Sequence, residues 1–380
     1  MMLRFLLIFL FFSSTAFAQS VRFLLESLPG NHPSGSSIFL AGSFNRWNPA
    51  DTLYQFHQDA GGQYFLQISL PEGNHEYKIT RGSWEKVECT GTGASIGNRQ
   101  LNPATNSEIK LTVAGWQDLL GVKEKPSTFS KQVSILDTAF YIPQLNRKRT
   151  IRIYLPADYA GSKKRYSVMY MQDGQNLFDD RTSYAGEWGV DEYLDSMVKR
   201  PCIVVAIDHG GEYRMNEYCP FDFVLGQNQS KKQIGEGKAY VSFIVNTLKP
   251  FIDKKLRTKK EKEHTFIAGS SMGGLISLYA ALAYPKTFGG AGVFSPSVWI
   301  CKNELLAFAK VKGPLMSSRI FFYSGKQESR EMVPDMLTIF ETLQKRSKSR
   351  MTVIIRDEGQ HNERTWRKEL PGFFQWILRD

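Results

Sequence analysis

Residues 265–284 read TFIAGSSMGGLISLYAALAY. The stretch from Thr265 to Ala268 is apolar and suited to a buried strand. Gly274 to Tyr284 is apolar and rich in helix formers. Between them lies Gly269-Ser270-Ser271-Met272-Gly273, a G-x-S-x-G string. Such a string is common by chance, and its strand–turn–helix context is what gives it meaning. The turn is so sharp that only small residues fit at its flanks, and it presents the Ser271 hydroxyl at the start of the helix.

Working outward, strand candidates recur on both sides: Thr150–Pro156, Tyr166–Met171, Cys202–Ile207, Gly290–Phe294, Ile320–Tyr323 and Thr352–Ile355. They alternate with helical patterns. Between Lys238 and Ile252 the residues Tyr240, Phe243, Ile244, Leu248 and Phe251 fall at helical spacing, as a face packed on a sheet would. Alternation of this kind predicts βαβ units and a mostly parallel sheet from about residue 132 to 380. Residues 19–120 read differently. Short runs at Val21–Leu25, Ile38–Ala41, Tyr64–Leu70 and Glu76–Thr80 are separated by turn clusters such as Asp59-Ala-Gly-Gly62. That predicts a small all-β, immunoglobulin-like sandwich. Residues 121–131 (GVKEKPSTFSK) are polar and aperiodic, and read as the joint.

A serine hydroxyl needs an adjacent base to act as a nucleophile at neutral pH. One histidine follows Ser271 in the sequence, His361, just after the last strand. The other five show no metal-ligand spacing, so neither a metal nor a cofactor is expected. The acid of a Ser–acid–His order lies among Glu304, Glu328, Glu331, Asp335, Glu341, Asp357 and Glu358. Glu328 fits best because it leaves the next-to-last strand, in the loop that meets the histidine loop; Asp335 is second. A tetrahedral oxyanion would be met by the backbone N–H of Met272 and one from the loop Tyr170–Phe178, with Gln175 the choice there. Asp173-Gly174 also fits an ordinary turn.

Several segments together resemble a known family: Tyr141–Arg147 (YIPQLNR), Met171–Phe178 (MQDGQNLF), Gly186–Asp191 (GEWGVD), Gly269–Gly274 (GSSMGG), Phe294–Trp299 (FSPSVW) and Gly359-Gln-His361. Over residues 130–380 the chain is similar to the esterase family related to esterase D, which includes enterochelin-type siderophore esterases and feruloyl and acetyl-xylan esterases. The resemblance implies an α/β-hydrolase fold with Ser271 and His361 as nucleophile and base. Substrate choice is expected in the insertions Asp179–Trp188 and His209–Gly235, rich in aromatic and polar residues (Trp188, Tyr213, Tyr218, Phe221, Phe223), and at Trp299. Trp188 and Trp299 are the candidates for the substrate wall, though packing of a long loop gives the same composition. Some siderophore-type members work with a Ser–His pair alone, which leaves the place of Glu328 open. Residues Phe39–Asn48 (FLAGSFNRWN) and Tyr77–Trp84 (YKITRGSW) resemble starch- and glycogen-binding modules. That likeness implies Trp47 and Lys78 as glucan contacts, with Trp84 standing in for a second tryptophan expected elsewhere. Both tryptophans also suit the core of a small sandwich.

Composition narrows the classes further. The 380 residues are 42% hydrophobic and 22% charged, an ordinary globular balance. Arg4, the apolar run Phe5–Phe12 and the A-x-A ending at Ala18 read as an export signal over residues 1–18. Export makes the expected location periplasmic or extracellular, and lets Cys89, Cys202, Cys219 and Cys301 meet an oxidising compartment. The net charge of +11 admits an anionic partner. The densest basic stretch, Asp253–His264 (DKKLRTKKEKEH), mixes in acids and reads as a solvated helix end, not a nucleic-acid site. No segment beyond the signal is long and apolar enough to span a bilayer. The functions consistent with all this are a serine esterase acting on an acylated saccharide, a siderophore trilactone esterase, and a non-catalytic glucan-binding protein.

Overall fold

The computed structural model describes residues 18–45, 47–103, 108–121, 126–183, 186–197, 200–224 and 232–379. The export signal therefore lies outside the described residues except for Ala18, as do residues 122–125 of the expected joint at 121–131. The chain divides into two compact units, Met1–Glu124 and Lys125–Asp380.

The first unit is all-β apart from short helical turns. The strand Gln19–Ser27 pairs antiparallel with Tyr64–Leu70 and parallel with Glu108–Thr112. A second sheet joins Phe39–Gly42, His75–Thr80 and Arg99–Leu101. Alternate residues explain the layering: Val21, Phe23, Leu25 and Leu66 from one sheet share a core with Leu40, Tyr77 and Ile79 from the other. Lys78 and Thr80, two residues apart, stand on the opposite face of their strand from Tyr77 and Ile79.

The second unit is built on eight strands: β1 (Val133–Ile142), β2 (Arg147–Tyr154), β3 (Ser167–Gln172), β4 (Cys202–Ile207), β5 (Thr265–Ser270), β6 (Gly290–Phe294), β7 (Arg319–Gly325) and β8 (Arg350–Arg356). Their order across the sheet is β1-β2-β4-β3-β5-β6-β7-β8. β2 runs antiparallel to β1 and β4, and the rest pair in parallel, so the sheet is mixed. Strands β3 to β7 are apolar almost throughout because helices cover both faces. Tyr170, Ile203, Val205, Ile267 and Val293 enter one core layer, whereas Met169, Met171, Val204, Ala268 and Phe294 enter the other.

The expected helix over Lys238–Ile252 is one helical run, Gly237–Lys255, interrupted by a π turn at Ile244–Leu248. Pro250 explains the interruption: it has no N–H to donate and its ring crowds the carbonyl four residues back, which a wider turn accommodates. The described end of the expected joint, residues 126–131, is strapped down, not loose. Thr128 N–H donates to Asp179 Oδ1 at 3.1 Å, Thr128 Oγ1 to Glu187 Oε2 at 2.8 Å, and Ser130 N–H to Asp191 Oδ2 at 2.9 Å.

Candidate active site

The carboxyl ends of β3, β5, β6, β7 and β8 converge on Ser271. β5 runs into the helix Met272–Ala283 with Ser271 alone at the corner, at φ 57° and ψ −123°. A Cβ on Gly269 would lie 2.8 Å from the Gly273 carbonyl, which is why the flanks of the turn must be small. Backbone bonds fix the corner: Ser271 N–H donates to Phe294 O at 2.9 Å, and Ser297 N–H to Ser271 O at 3.1 Å.

The turn after β6, Phe294-Ser-Pro-Ser297, touches both halves of the site. Ser297 Oγ lies 3.1 Å from Ser271 Oγ. Ser295 Oγ donates to Glu328 Oε1 at 2.6 Å and accepts from Trp366 Nε1 at 2.9 Å. Glu328 also receives the Gly325 N–H at 2.7 Å, and its Oε2 is 2.9 Å from His361 Nδ1. Its side chain is 0% exposed, against 32% for His361. A carboxylate only accepts, so Nδ1 carries the proton and Nε2 is left for another partner. The His361 ring also stands edge-on to Trp366, with centroids 5.1 Å apart. Among the described residues Ser271 Oγ bonds Ser297, and no hydrogen bond joins it to His361.

The loops that carry Glu328 and His361 meet backbone to backbone. Gln327 N–H donates to Gly359 O and Lys326 N–H to Arg356 O, both at 2.9 Å. A Cβ on Gly325 would collide with the Gly359 backbone, and one on Gly359 would sit 2.7 Å from the Gly325 Cα. Glycine is required on both sides of this crossing.

Five non-glycine residues have positive φ among the described residues, and three of them, Asp173, Ser271 and Ser295, meet here. Each such residue costs about 1–3 kcal/mol and persists only where its surroundings over-determine it. Asp173 follows β3 and is held by a bidentate pair with Arg214, at 2.7 and 2.8 Å. A Cβ on Gly273 would lie 3.2 Å from Asp173 Oδ2, which places this loop against the elbow. Met272 opens its helix and Gln175 lies in the 3-10 turn Gly174–Asn176, so neither backbone N–H has an acceptor within its own helix. The Gln175 side chain accepts from His209 N–H at 3.2 Å, which ties it to the segment after β4. Glu363 is also buried here; it accepts from Asn176 Nδ2 at 3.1 Å, and burial raises its pKa.

Sequence reading placed Trp188 and Trp299 beside the substrate. Trp299 is 53% exposed, two residues from Ser297, and fits a rim position. Trp188 does not: it is 2% exposed and packs on Phe294 and Trp366 at 5.0 and 5.6 Å. It is a prop beneath the site. The same holds for most of the aromatic insertion after β4, where Tyr218 and Phe223 are buried and Tyr213 is exposed under the Arg147 guanidinium. Asp335, the second candidate for the acid, is engaged elsewhere, by Lys302 Nζ at 2.5 Å. Sequence reasoning gave no role to Ser295, Ser297, Trp366 or the Asp173–Arg214 pair. Among the described residues no group of three or more His, Cys, Asp or Glu is arranged to hold a metal ion.

In the first unit Trp47 and Trp84 come together with ring centroids 6.2 Å apart and planes at 43°. Both are half-buried, and Trp47 sits at φ 60°, an outlier for so bulky a residue. Lys78 donates its ammonium to Ile96 O at 2.6 Å.

The profile of the Esterase family, described as "Putative esterase", matches residues 142–377. The chain belongs to that family. An endo-1,4-beta-xylanase/feruloyl esterase from Xylanibacter ruminicola is 24% identical over 256 residues, which is 65% of this chain and 31% of that protein. The enterobactin esterase FES from Shigella flexneri shares the fold, with a TM-score of 0.55 at 14% identity over 95% of this chain and 94% of its own. The N-terminal region matches an alpha-amylase from Niallia circulans, 44% identical over 103 residues, 27% of this chain but only 8% of the amylase. Family membership makes the protein a carboxylic ester hydrolase.

Proposed function

We propose that the protein is a serine esterase that works through an acyl-enzyme on an acylated carbohydrate, a feruloyl or acetyl ester. One observation carries the mechanism: the turn Phe294–Ser297 binds Ser271 on one side and the Glu328–His361 pair on the other. Ser271 Oγ leaves Ser297, gives its proton to His361 Nε2 and attacks the ester carbonyl. The oxyanion that forms is met by the N–H groups of Met272 and Gln175. Glu328 keeps the imidazole oriented and stabilises its cation without taking the proton. Collapse expels the alcohol, protonated by His361. A water activated by the same nitrogen then releases the acid from Ser271. Trp299 supplies an apolar wall for the acyl or sugar part.

The carbohydrate half of the reading rests on the first unit, read as an immunoglobulin-like sandwich. There Trp47 and Trp84 offer paired rings to the apolar C–H faces of a glucan, and Lys78 bonds its hydroxyls. The leader sequence sends the chain to the periplasm or out of the cell.

The test is hydrolysis of p-nitrophenyl acetate and methyl ferulate by the full chain, with Ser271→Ala as control. Loss of at least ~10³-fold in kcat/KM is expected in the variant. Activity retained in Ser271→Ala sinks the mechanism. Turnover of a ferric catecholate trilactone, with none of acylated oligosaccharides, moves the substrate to siderophores. A folded chain that neither turns over esters nor reacts with a fluorophosphonate is a binding protein.

A further inference from the structure

The strands of the second unit have two ends, and the site uses only one. At the ends where the parallel strands begin lies a cleft of about 840 Å³, bordered by Ser167 of β3, Pro201 before β4, Phe266 of β5 and Arg319 of β7. Its charge is lopsided: Lys164, Arg165, Arg200, Lys259, Arg319 and Arg379 line it, against Asp158, Asp195 and Glu263. One acid is paired with one of these cations and another is held by a neutral hydroxyl, which leaves five cations against two acids. Asp158 binds Lys164 Nζ and the Tyr166 hydroxyl, each at 2.9 Å, and Asp195 accepts from the Tyr154 hydroxyl at 2.9 Å. Arg165, Lys259 and Arg379 are exposed, and among the described residues none of them is ion-paired. A second hollow of about 250 Å³ shares Glu263 and Arg319 and adds Lys262, Lys348 and Arg350, so the basic surface continues past the first cleft.

We propose that this basic cleft, remote from Ser271, is a binding site for an acidic polysaccharide chain carrying carboxylates. Charge complementarity demands an anion, and the run of cations across two adjoining hollows suits an extended polymer over a single small ion. A bilayer fits less well, because the surface is concave and, among the described residues, no exposed large hydrophobic side chain lies on it to enter lipid. A single-stranded nucleic acid would need rings to stack its bases. The aromatic residues here, Tyr154, Tyr166 and Phe266, are all buried. Lys259 and Lys262 come from the basic stretch Asp253–His264, whose charge the esterase chemistry leaves unused.

The experiment is affinity electrophoresis of the full chain through gels containing polygalacturonate or, as neutral control, amylose, at low and at ~0.5 M salt, where screening is strong. Retardation by polygalacturonate that disappears in high salt is expected. In the triple variant Arg165→Glu, Lys259→Glu, Arg379→Glu the affinity should fall by about tenfold or more. Unchanged turnover of p-nitrophenyl acetate and an unchanged melting temperature show that the variant is folded. No retardation of the parent chain, or retardation the triple variant keeps, overturns the proposal. So does tighter binding of phosphatidylglycerol vesicles or single-stranded DNA through the same three residues.

Discussion

Removing one hydroxyl, in Ser295→Ala, should uncouple the acid from its support. Glu328 is wholly buried on its side chain and receives hydrogen bonds from Ser295 Oγ, Gly325 N–H and His361 Nδ1. Loss of the first removes a bond to a charged group, worth about 1.5–3 kcal/mol. It also strands the Trp366 indole N–H, which is buried and has no other acceptor among the described residues, at ~1–3 kcal/mol. At about 2–4 °C per kcal/mol for a unit of this size, the melting temperature should drop by roughly 5–25 °C. The imidazole keeps its partner but loses definition, so kcat should fall about tenfold with KM little changed. Ser295 sits at φ 42°, so Ser295→Gly is the useful companion. It relaxes the backbone and recovers part of the melting temperature, but not kcat. The assays are thermal unfolding followed by circular dichroism and steady-state hydrolysis of p-nitrophenyl acetate. A Ser295→Ala protein that melts within about 1 °C of the parent at undiminished kcat would make Ser295 a bystander and remove the reasoning.

Glu328→Gln keeps the shape but cannot stabilise an imidazolium, so kcat should fall by ~10²–10⁴; a loss under threefold would leave a working Ser–His pair. Trp299→Ala should raise KM for methyl ferulate severalfold and leave kcat on p-nitrophenyl acetate nearly unchanged, and equal effects on both substrates would argue for a structural role. Burial raises the carboxyls of Glu187 and Asp191 to about 7, against ~4 in an unfolded chain. The folded protein therefore holds more protons between those values, and the stability these groups contribute is lost as pH rises toward and through 7. Melting temperatures of Glu187→Gln/Asp191→Asn should decline less between pH 5 and 8 than those of the parent. Parallel curves would show that the two groups titrate normally.

Local sequence carried much of this architecture. The elbow was readable because strand, sharp turn and helix are contiguous, and Glu328 because loops after consecutive parallel strands gather at one end of a sheet. The pairing of Trp366 with Ser295 spans 71 residues and leaves no local trace. β1 escaped notice because an edge strand is buried sparsely, and its register shifts twice against β2. The place of Trp188 is not legible for a related reason. An aromatic side chain in a polar insertion has the same composition whether it lines a binding wall or plugs the space beneath one. Only the position of Phe294 and Trp366 decides between the two.

The glycine crossing between Gly325 and Gly359 has an evolutionary corollary. Acid and base do not ride on independent loops that selection can adjust one at a time. A side chain added at either crossing point displaces the other loop, and with it the partner residue. Shortening one loop has the same effect. The Glu328–His361 pair is therefore inherited, and would have to be grafted onto another scaffold, as a single cassette from β7 to the histidine. Diversification of substrate range is left to the segment after β4 and to positions beyond the Phe294–Ser297 turn, such as Trp299; the turn itself is tied to the cassette through Ser295.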